Sequence, residues 1–291
     1  MRNIIMVILL ALLPSVAVAL QQRNGGELYV ANISSSTVTY YDGSTGAYRG
    51  LFVEKGSGGL SAPTGITFGP DGNLYVASSK TNRVLRFDGE TGKFKDVVVT
   101  LDSLDRPFSI LFGPDRHLYV SSGTGHKVLR IDGSTGKLLN IAASGSGLKQ
   151  PIGLAFGPDG LLYVVNSGGK NILRFDPVSG TSRGVFAADS MRYPSDCAFG
   201  PDGLLYVSDA AQSRVVVFDG RTGAFVKVFG TLPDRGVPMG LAFASDGALF
   251  VGDFGKSRLT RFGKEGGTAN ILSVEGLAGP ENIVIRRGVA K

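Results

Sequence analysis

A block of fourteen residues recurs along this chain at an almost constant spacing, and this repeat restricts the folds that the chain can adopt. The copy at residues 151–164 reads PIGLAFGPDGLLYV. The five complete copies begin 44, 44, 43 and 44 residues apart, at Pro63, Pro107, Pro151, Pro194 and Pro238. A period of this length, with strand-like content in each copy, predicts a β-propeller or another repeat array.

Each copy contains four short segments with the composition of β-strands. In the copy that begins at Pro151, the first segment leads into a Pro-Asp-Gly turn at residues 158–160, and the second covers residues 162–165. Proline suits the second position of such a turn, and glycine accepts its positive φ. A third segment at 171–176 and a Gly-rich turn follow, and the fourth corresponds to residues 94–99 of an earlier copy. Four antiparallel strands per repeat predict a propeller blade.

The two ends of the repeat region complement each other. Residues 280–285 match only the front half of the block, and residues 27–30 match only its back half. Joined, they make a sixth blade that closes the ring and removes exposed sheet edges. The sequence therefore predicts an all-β, six-bladed propeller over residues 27–287, with a linker at 20–26 and a tail at 288–291.

Residues 1–19 resemble a secretory signal peptide. Arg2 precedes an apolar run at residues 4–13, and Ala17-Val18-Ala19 forms a small-residue cleavage site. An uncleaved membrane anchor is the alternative, although the run is short for a span. We expect a secreted or periplasmic protein with no stable membrane span after cleavage. The mature chain has one cysteine, so an internal disulfide is impossible.

Comparison of the copies separates packing positions from candidate functional ones. One position is aromatic in every copy, which predicts a packing role: Tyr29, Tyr75, Tyr119, Tyr163, Tyr206 and Phe250. Cys197 occupies a position that is isoleucine or leucine elsewhere and is therefore expected to be a buried small hydrophobe. The repeated aspartates of the Pro-Asp-Gly turns are expected to be turn residues. A further pair, five residues apart, is expected to brace the loop between second and third strands, as in Asp209 with Arg214 and Asp253 with Arg258.

The pattern Pro-x-Gly-[ILV]-x-Phe-x-Pro-Asp-Gly-x-Leu-Tyr-Val, followed by Asn/Ser-Arg-[VL]-x-x-Phe-Asp, resembles the NHL repeat. It is also similar to a broader group of six-bladed propellers that includes gluconolactonase-type lactonases and, more distantly, streptogramin lyases. The resemblance implies three functions: a binding or scaffold propeller, a metal-dependent lactonase, or a lyase. Fold alone does not choose among them.

The residues just after each repeat proline are expected to face the mouth of the central channel, where propellers commonly bind ligands. Most are apolar or glycine, and only Asp196, Glu281 and Asn282 offer a hard oxygen ligand. The lactonase resemblance implies a channel Ca²⁺ held by such residues, so these three are the candidate metal ligands. The alternative is that Asp196 caps a strand end or pairs with Arg192.

Other catalytic arrangements receive little support. The two histidines, His117 and His126, are expected on opposite faces, so they cannot share a metal site or an acid–base pair. Amidating lyases related to the NHL group use several channel histidines, which this chain lacks. The formal charge of +6 is mild for this length, and the loops around the mouth mix both signs, so we expect no nucleic-acid partner.

The remaining candidates are exposed side chains near the mouth, which suit a protein, glycan or small-molecule partner. They are Phe108, Arg192, Tyr193, Met239 and Phe254. We therefore expect an exported, monomeric propeller that acts as a binding or scaffold module, without catalysis and without a required cofactor. The alternatives are a calcium-dependent, gluconolactonase-like hydrolase with its site in the channel, and a streptogramin-lyase-like enzyme.

Overall fold

Six antiparallel sheets, each with four main strands, form the blades of a β-propeller, as the repeat predicts. The first strands of the six blades contact one another in cyclic order around a central channel. The computed structural model describes residues 26–286. The predicted signal peptide, the linker up to residue 25 and the predicted tail lie outside the described residues. None of the helices in the described part of the chain is long and apolar enough to cross a membrane.

The strands are numbered in chain order. Blades 1 to 3 use β1 (Glu27–Asn32), β2 (Thr37–Asp42), β3 (Tyr48–Val53), β4 (Pro63–Phe68), β5 (Leu74–Ser78), β6 (Arg83–Phe87), β7 (Phe94–Thr100), β8 (Pro107–Phe112), β9 (Leu118–Ser122), β10 (Lys127–Ile131) and β11 (Leu138–Ser144). The other strands are β12 (Pro151–Phe156), β13 (Leu162–Asn166), β14 (Asn171–Phe175), β15 (Ser182–Ala187), β16 (Pro194–Phe199), β17 (Leu205–Asp209), β18 (Arg214–Phe218), β19 (Phe225–Thr231), β20 (Pro238–Phe243), β21 (Leu249–Asp253), β22 (Arg258–Phe262), β23 (Gly267–Thr268), β24 (Asn270–Ser273) and β25 (Pro280–Arg286). Short 3-10 turns occur at Ser57–Gly59, Ser167–Gly169, Ala210–Gln212, Pro233–Arg235 and Phe254–Lys256.

Blades 2 to 5 each contain four consecutive strands, beginning at β4, β8, β12 and β16. Blade 6 has the order β20-β21-β22-β24, while β23 pairs in parallel with β19 and extends blade 5. Blade 1 has the order β25-β1-β2-β3. We call the face that carries the starts of the first strands the upper face, and the face with the Pro-Asp-Gly turns the lower face.

The two ends of the described chain meet in blade 1. Strand β25 pairs antiparallel with β1, with Val30 opposite Ile283 and Tyr29 opposite Val284. Arg286 then reaches blade 2, where its guanidinium donates to the Gly89 carbonyl and pairs with Glu90. The predicted closure of the ring by its C-terminal strand is confirmed.

The repeated aromatic position forms the core between blades, as predicted. Each of these residues is at most 4% exposed, and the tyrosines of blades 1 to 5 pack edge-to-face on the next blade's phenylalanine. For example, the ring centroids of Tyr29 and Phe68 are 4.9 Å apart, and those of Tyr206 and Phe243 are 4.8 Å apart. Edge-to-face pairs contribute about 0.5–1.5 kcal/mol beyond area burial. Cys197 is buried in the core between blades 4 and 5.

The last residue of each second strand braces the loop that enters the first strand of the same blade. In all six blades its side-chain oxygen accepts a backbone N–H from that loop. The six are Asn32, Ser78, Ser122, Asn166, Asp209 and Asp253. The predicted bracing role therefore extends beyond the loop between the second and third strands. Asp209 and Asp253 are fully buried, so these two ion pairs are not weak surface pairs.

Candidate functional site at the channel mouth

A small cavity lies where the six first strands converge below the upper face. Its volume is about 20 Å³, room for about one water. All of its lining residues are the first or second residue after a strand-initiating proline, as the sequence predicts. They are Thr64, Phe108, Ser109, Ile152, Gly153, Ser195, Asp196, Met239, Glu281 and Asn282.

At the second position after the proline, glycine and a polar residue alternate from one blade to the next around the ring. The series is Gly65, Ser109, Gly153, Asp196, Gly240 and Asn282. Each glycine allows the next strand to approach closely. A Cβ atom on Gly153 would lie 2.6 Å from the Cα of Asp196, and one on Gly240 would lie 2.6 Å from the Cα of Asn282. The strands therefore pack in three close pairs, which narrows the channel at this level.

Asp196 is held by backbone groups from two strands. Its Oδ1 accepts the N–H of Cys197 at 2.9 Å, and its Oδ2 accepts the N–H of Leu241 at 3.0 Å. The alternative pairing of Asp196 with Arg192 does not occur among the described ion pairs, and the backbone N–H of Arg192 donates to Asp209. Asp196 thus links β16 to β20 and is only 8% exposed.

Asn282 extends this network to two more strands. Its Oδ1 accepts the N–H of Ile66 at 3.2 Å, and its Nδ2 lies 3.5 Å from the Oδ2 of Asp196. The two side chains together connect β4, β25, β16 and β20. The position of Asn282 is therefore explained by hydrogen bonding within the ring.

The two carboxyl groups of the mouth have strongly raised pKa values. Burial raises the pKa of Asp196 to about 7, against the opposing effect of its two backbone hydrogen bonds. Burial, followed by the charge of Asp196, raises the pKa of Glu281 to about 7, while Arg106 lowers it. The charge of Asp196 disfavours ionisation of Glu281, so the protonation of Glu281 depends on that of Asp196. Such a pair can accept or release a proton.

A Ca²⁺ ion would find a weak ligand set here. Ca²⁺ takes six to eight oxygen ligands, whereas Asp196, Glu281 and Asn282 come from only two strands. The Oδ1 of Asn282 already accepts a backbone hydrogen bond. No group of three or more His, Cys, Asp or Glu residues within residues 26–286 is arranged to hold a metal. The calcium site stays a prediction.

The predicted binding-face residues divide into two groups. Phe108 and Met239 line the cavity, and the guanidinium of Arg106 lies 5.5 Å from the centroid of the Phe108 ring. Arg192, Tyr193 and Phe254 lie on exposed loops of the upper face, outside this lining.

The histidines lie away from the cavity, as expected. His117 is in the lower turn of blade 3, and His126 is in an upper loop, where its Nδ1 accepts the N–H of Gln150 at 3.0 Å. Sequence reasoning missed the pairing of glycine with polar residues. The alternation of glycine with polar residues at the second position after the proline is visible in the sequence. It indicates close contacts only when neighbouring blades are known to be adjacent in space.

The sequence profile of the virginiamycin B lyase family matches residues 55–287, which is most of the chain. This chain belongs to the virginiamycin B lyase family. No curated protein matches it significantly. The narrower grouping with NHL repeats and gluconolactonase-like propellers stays a prediction.

Solved structures of this family have the same fold. A virginiamycin B lyase from Staphylococcus aureus is 20% identical over 76% of this chain and 73% of its own, with a TM-score of 0.59. A catalytically inactive variant of virginiamycin B lyase from that organism, solved with quinupristin, is 16% identical over 92% and 94%, with a TM-score of 0.64. The fold is also found outside the structures named as lyases: one chain of a nidogen/laminin complex is 15% identical over 89% of this chain and 97% of its own, with a TM-score of 0.74. At these identities the likeness to the three solved structures shows the fold alone.

Proposed function

We propose that this member of the virginiamycin B lyase family binds a small cyclic peptide at the mouth of its channel, with Asp196 and Glu281 as the ionisable contacts. The observation that supports this proposal is the pair of carboxyl groups with pKa values of about 7 in a mouth whose other lining side chains are neutral. Among the described residues the Glu281 carboxylate has no hydrogen-bond or ion-pair partner, and its pKa is raised by burial and by the charge of Asp196. Its carboxylate is therefore available to a ligand. The quinupristin bound by the structural relative indicates the ligand class.

Isothermal titration of quinupristin into the purified protein tests this proposal. We expect saturable binding that is at least tenfold weaker in Glu281→Gln, because the amide cannot supply the charge. Glu275→Gln is the matched control, since Glu275 is an exposed glutamate on the upper loop just before β25. No binding to the wild-type protein, or equal binding to Glu281→Gln, would contradict the proposal.

A lyase is the second candidate function. An elimination needs a base to remove a proton and an acid to protonate the leaving group, and a carboxyl pair that shares a proton can supply both. The relative solved with quinupristin was inactivated by replacing a histidine with alanine. Here neither His117 nor His126 lines the mouth, so we place binding before catalysis.

Chromatography with mass detection separates these functions. Under the binding proposal, quinupristin is recovered unchanged. Ring opening by elimination shifts the retention time without a change in mass, whereas a lactonase adds the mass of water. A product of unchanged mass that is lost in Glu281→Gln would favour the lyase over the binding module. A Ca²⁺ titration of the wild type and Asp196→Asn tests the lactonase alternative, which equal heats in both would exclude.

We further propose that the protein is exported, because residues 1–19 have the three parts of a signal peptide, and that it works as a monomer. Fractionation of expressing cells, with mass measurement of the mature chain, tests this. We expect a secreted or periplasmic monomer that begins at Leu20. A membrane-bound chain that retains residues 1–19 would support the anchor instead.

A further inference from the structure

A second cavity opens on the lower face, between blades 2 and 3 and on the opposite side from the channel mouth. Its volume is about 310 Å³, which is within the range of small-molecule sites. The rings of Tyr75 and Phe112 form its wall, and Arg116, His117 and Asp132 lie at its rim. We call it the lower cleft. The family assignment and the channel-mouth proposal do not account for it.

The lower cleft coincides with a departure from the repeat. Arg116 occupies the turn position that is glycine in the other complete copies: Gly72, Gly160, Gly203 and Gly247. Its φ is 65°, a left-handed conformation that costs an arginine free energy that glycine avoids. Blade 3 keeps a strained arginine here although the repeat supplies an unstrained solution.

The next turn of blade 3 packs differently as well. In blade 2, a Cβ on Gly89 would lie 1.8 Å from the Gly72 carbonyl, and Gly220 lies equally close to Gly203 in blade 5. These contacts bring the two lower turns of a blade together. The corresponding Gly133 of blade 3 has no such contact with Arg116.

Gly133 instead lies against the ring of Phe112. Its carbonyl accepts a hydrogen bond from the hydroxyl of Tyr75 in blade 2, at 3.3 Å. The turn thus leans toward the neighbouring blade, and the space that blades 2 and 5 fill with turn-to-turn contact is left open. The blade in which Arg116 replaces glycine is therefore also the blade beside which the lower cleft opens.

Most charges around the lower cleft already have partners. Arg86 pairs with Asp71 and Asp96, and Asp115 pairs with Arg130. Three groups are left uncommitted among the described residues. The side chains of Arg116 and His117 have no ion pair or hydrogen bond. Only the Oδ1 of Asp132 is used, by the N–H groups of residues 134 and 135 and by the Ser134 hydroxyl. The rim therefore presents a cation, an imidazole and one free carboxylate oxygen.

We propose that the lower cleft binds a small zwitterion of the α-amino-acid class. The ligand carboxylate pairs with Arg116, whose planar guanidinium fits two oxygens, and receives a hydrogen bond from His117. The ligand ammonium group lies at Asp132, and an apolar side chain packs on Tyr75 and Phe112. This site is independent of the channel mouth.

Titration of L-leucine, isocaproate and isoamylamine into ¹⁵N-labelled protein tests the proposal. Isocaproate lacks the ammonium group and isoamylamine lacks the carboxylate. We expect saturable binding of leucine, with shifts of the Gly133 and His117 amides and none at Gly153 in the channel. Each half-molecule is expected to bind at least tenfold more weakly. No leucine binding, shifts confined to the channel, or equal binding of either half-molecule would overturn the assignment.

Arg116→Gly restores the residue of the other copies and should fold at least as well as the wild type, because it removes the left-handed arginine. We expect leucine binding to fall at least tenfold without a loss of thermal stability. Lys93→Ala removes an exposed cation from a lower turn outside the cleft and should leave leucine binding unchanged. Undiminished leucine binding by Arg116→Gly, or an equal loss in Lys93→Ala, would overturn the proposal.

Discussion

Among single residues, Glu281 links the protonation of the channel mouth to the stability of the fold. Its pKa is about 7 in the folded protein, against an ordinary value of 4.5. The folded state therefore holds a proton that the unfolded state releases at lower pH. This contribution to stability is fully present below about pH 4.5 and is lost as the pH rises to about 7.

Glu281→Gln should reduce this pH dependence, because the amide has the same shape and does not titrate, while Asp196 keeps its own contribution. We expect the variant to be more stable than the wild type above pH 7, by at most about 3 kcal/mol. Urea unfolding at a series of pH values measures the effect. Glu275→Gln should keep the wild-type slope, and an unchanged slope in Glu281→Gln would show that another group governs it.

Gly153 tests the close pairing of first strands. Its φ is not positive, so alanine is disfavoured here by the close approach of Ser195 and Asp196, whose Cα would lie 2.6 Å from the new Cβ. We expect Gly153→Ala to lower the free energy of unfolding by about 1–3 kcal/mol through overpacking. Gly263→Ala, whose Cβ would meet nothing within 4 Å, is the control. Urea unfolding should separate the two variants, and equal stability would mean that the strands can move apart.

The sequence predicted which residues face the mouth but not how they contact one another. The position after each proline fixed the orientation of Phe108 and Met239, since strand residues alternate between faces. The partners of Asp196 are backbone groups of another blade, and such contacts have no signature within one copy. The raised pKa values follow from burial and so required the assembled ring.

Among the structural elements, the loop between second and third strands carries a buried ion pair in blade 6. Asp253 is fully buried and contacts the Nε of Arg258 at 2.7 Å, while Arg258 also pairs with Asp234 at 2.9 Å. Removal of one partner leaves a buried charge without compensation. We expect Arg258→Met to lower the free energy of unfolding by about 3–5 kcal/mol.

Blade 2 provides the internal control for this prediction. Its corresponding residues are Ser78 and Arg83, and the exposed Arg83 opposes an uncharged serine. Arg83→Met should change the free energy of unfolding by about 0.5 kcal/mol or less. Urea unfolding of both variants measures the difference. A similar loss in both would mean that the arginine stem, rather than the ion pair, stabilises the loop.

The strands and turns of the repeat were predictable because each depends on local chemistry. Pro-Asp-Gly fixes a turn, and alternating apolar residues define the strand that follows. Strand β23 was not predictable, since its two residues pair only with the edge of β19 in the preceding blade. The lower cleft was missed for the same reason: the replacement of glycine by Arg116 was visible, but its consequence lies between blades.

For the whole molecule, closure of the ring by β25 is the interaction on which the other blades depend. Strand β25 supplies the first strand of blade 1 and buries Ile283 against the core between blades 6 and 1. Without it, β1 becomes an unpaired edge beside an exposed core, which favours aggregation. The repeat predicted this closure because residues 280–285 and residues 27–30 are the two halves of one complete copy.

Truncation of the chain tests whether the other blades depend on β25. A chain that ends at Gly279 lacks β25, and we expect it to lose its cooperative thermal transition or to aggregate. A chain that ends at Arg286 lacks only residues 287–291 and should keep the wild-type melting temperature, since it retains the β25–β1 register and the contact of Arg286 with blade 2. Circular dichroism melting combined with size-exclusion chromatography measures both. If the shorter chain melted cooperatively at the wild-type temperature, the ring would be stable without β25. The channel mouth takes Glu281 and Asn282 from β25, so the stability of the ring would then be independent of the channel mouth.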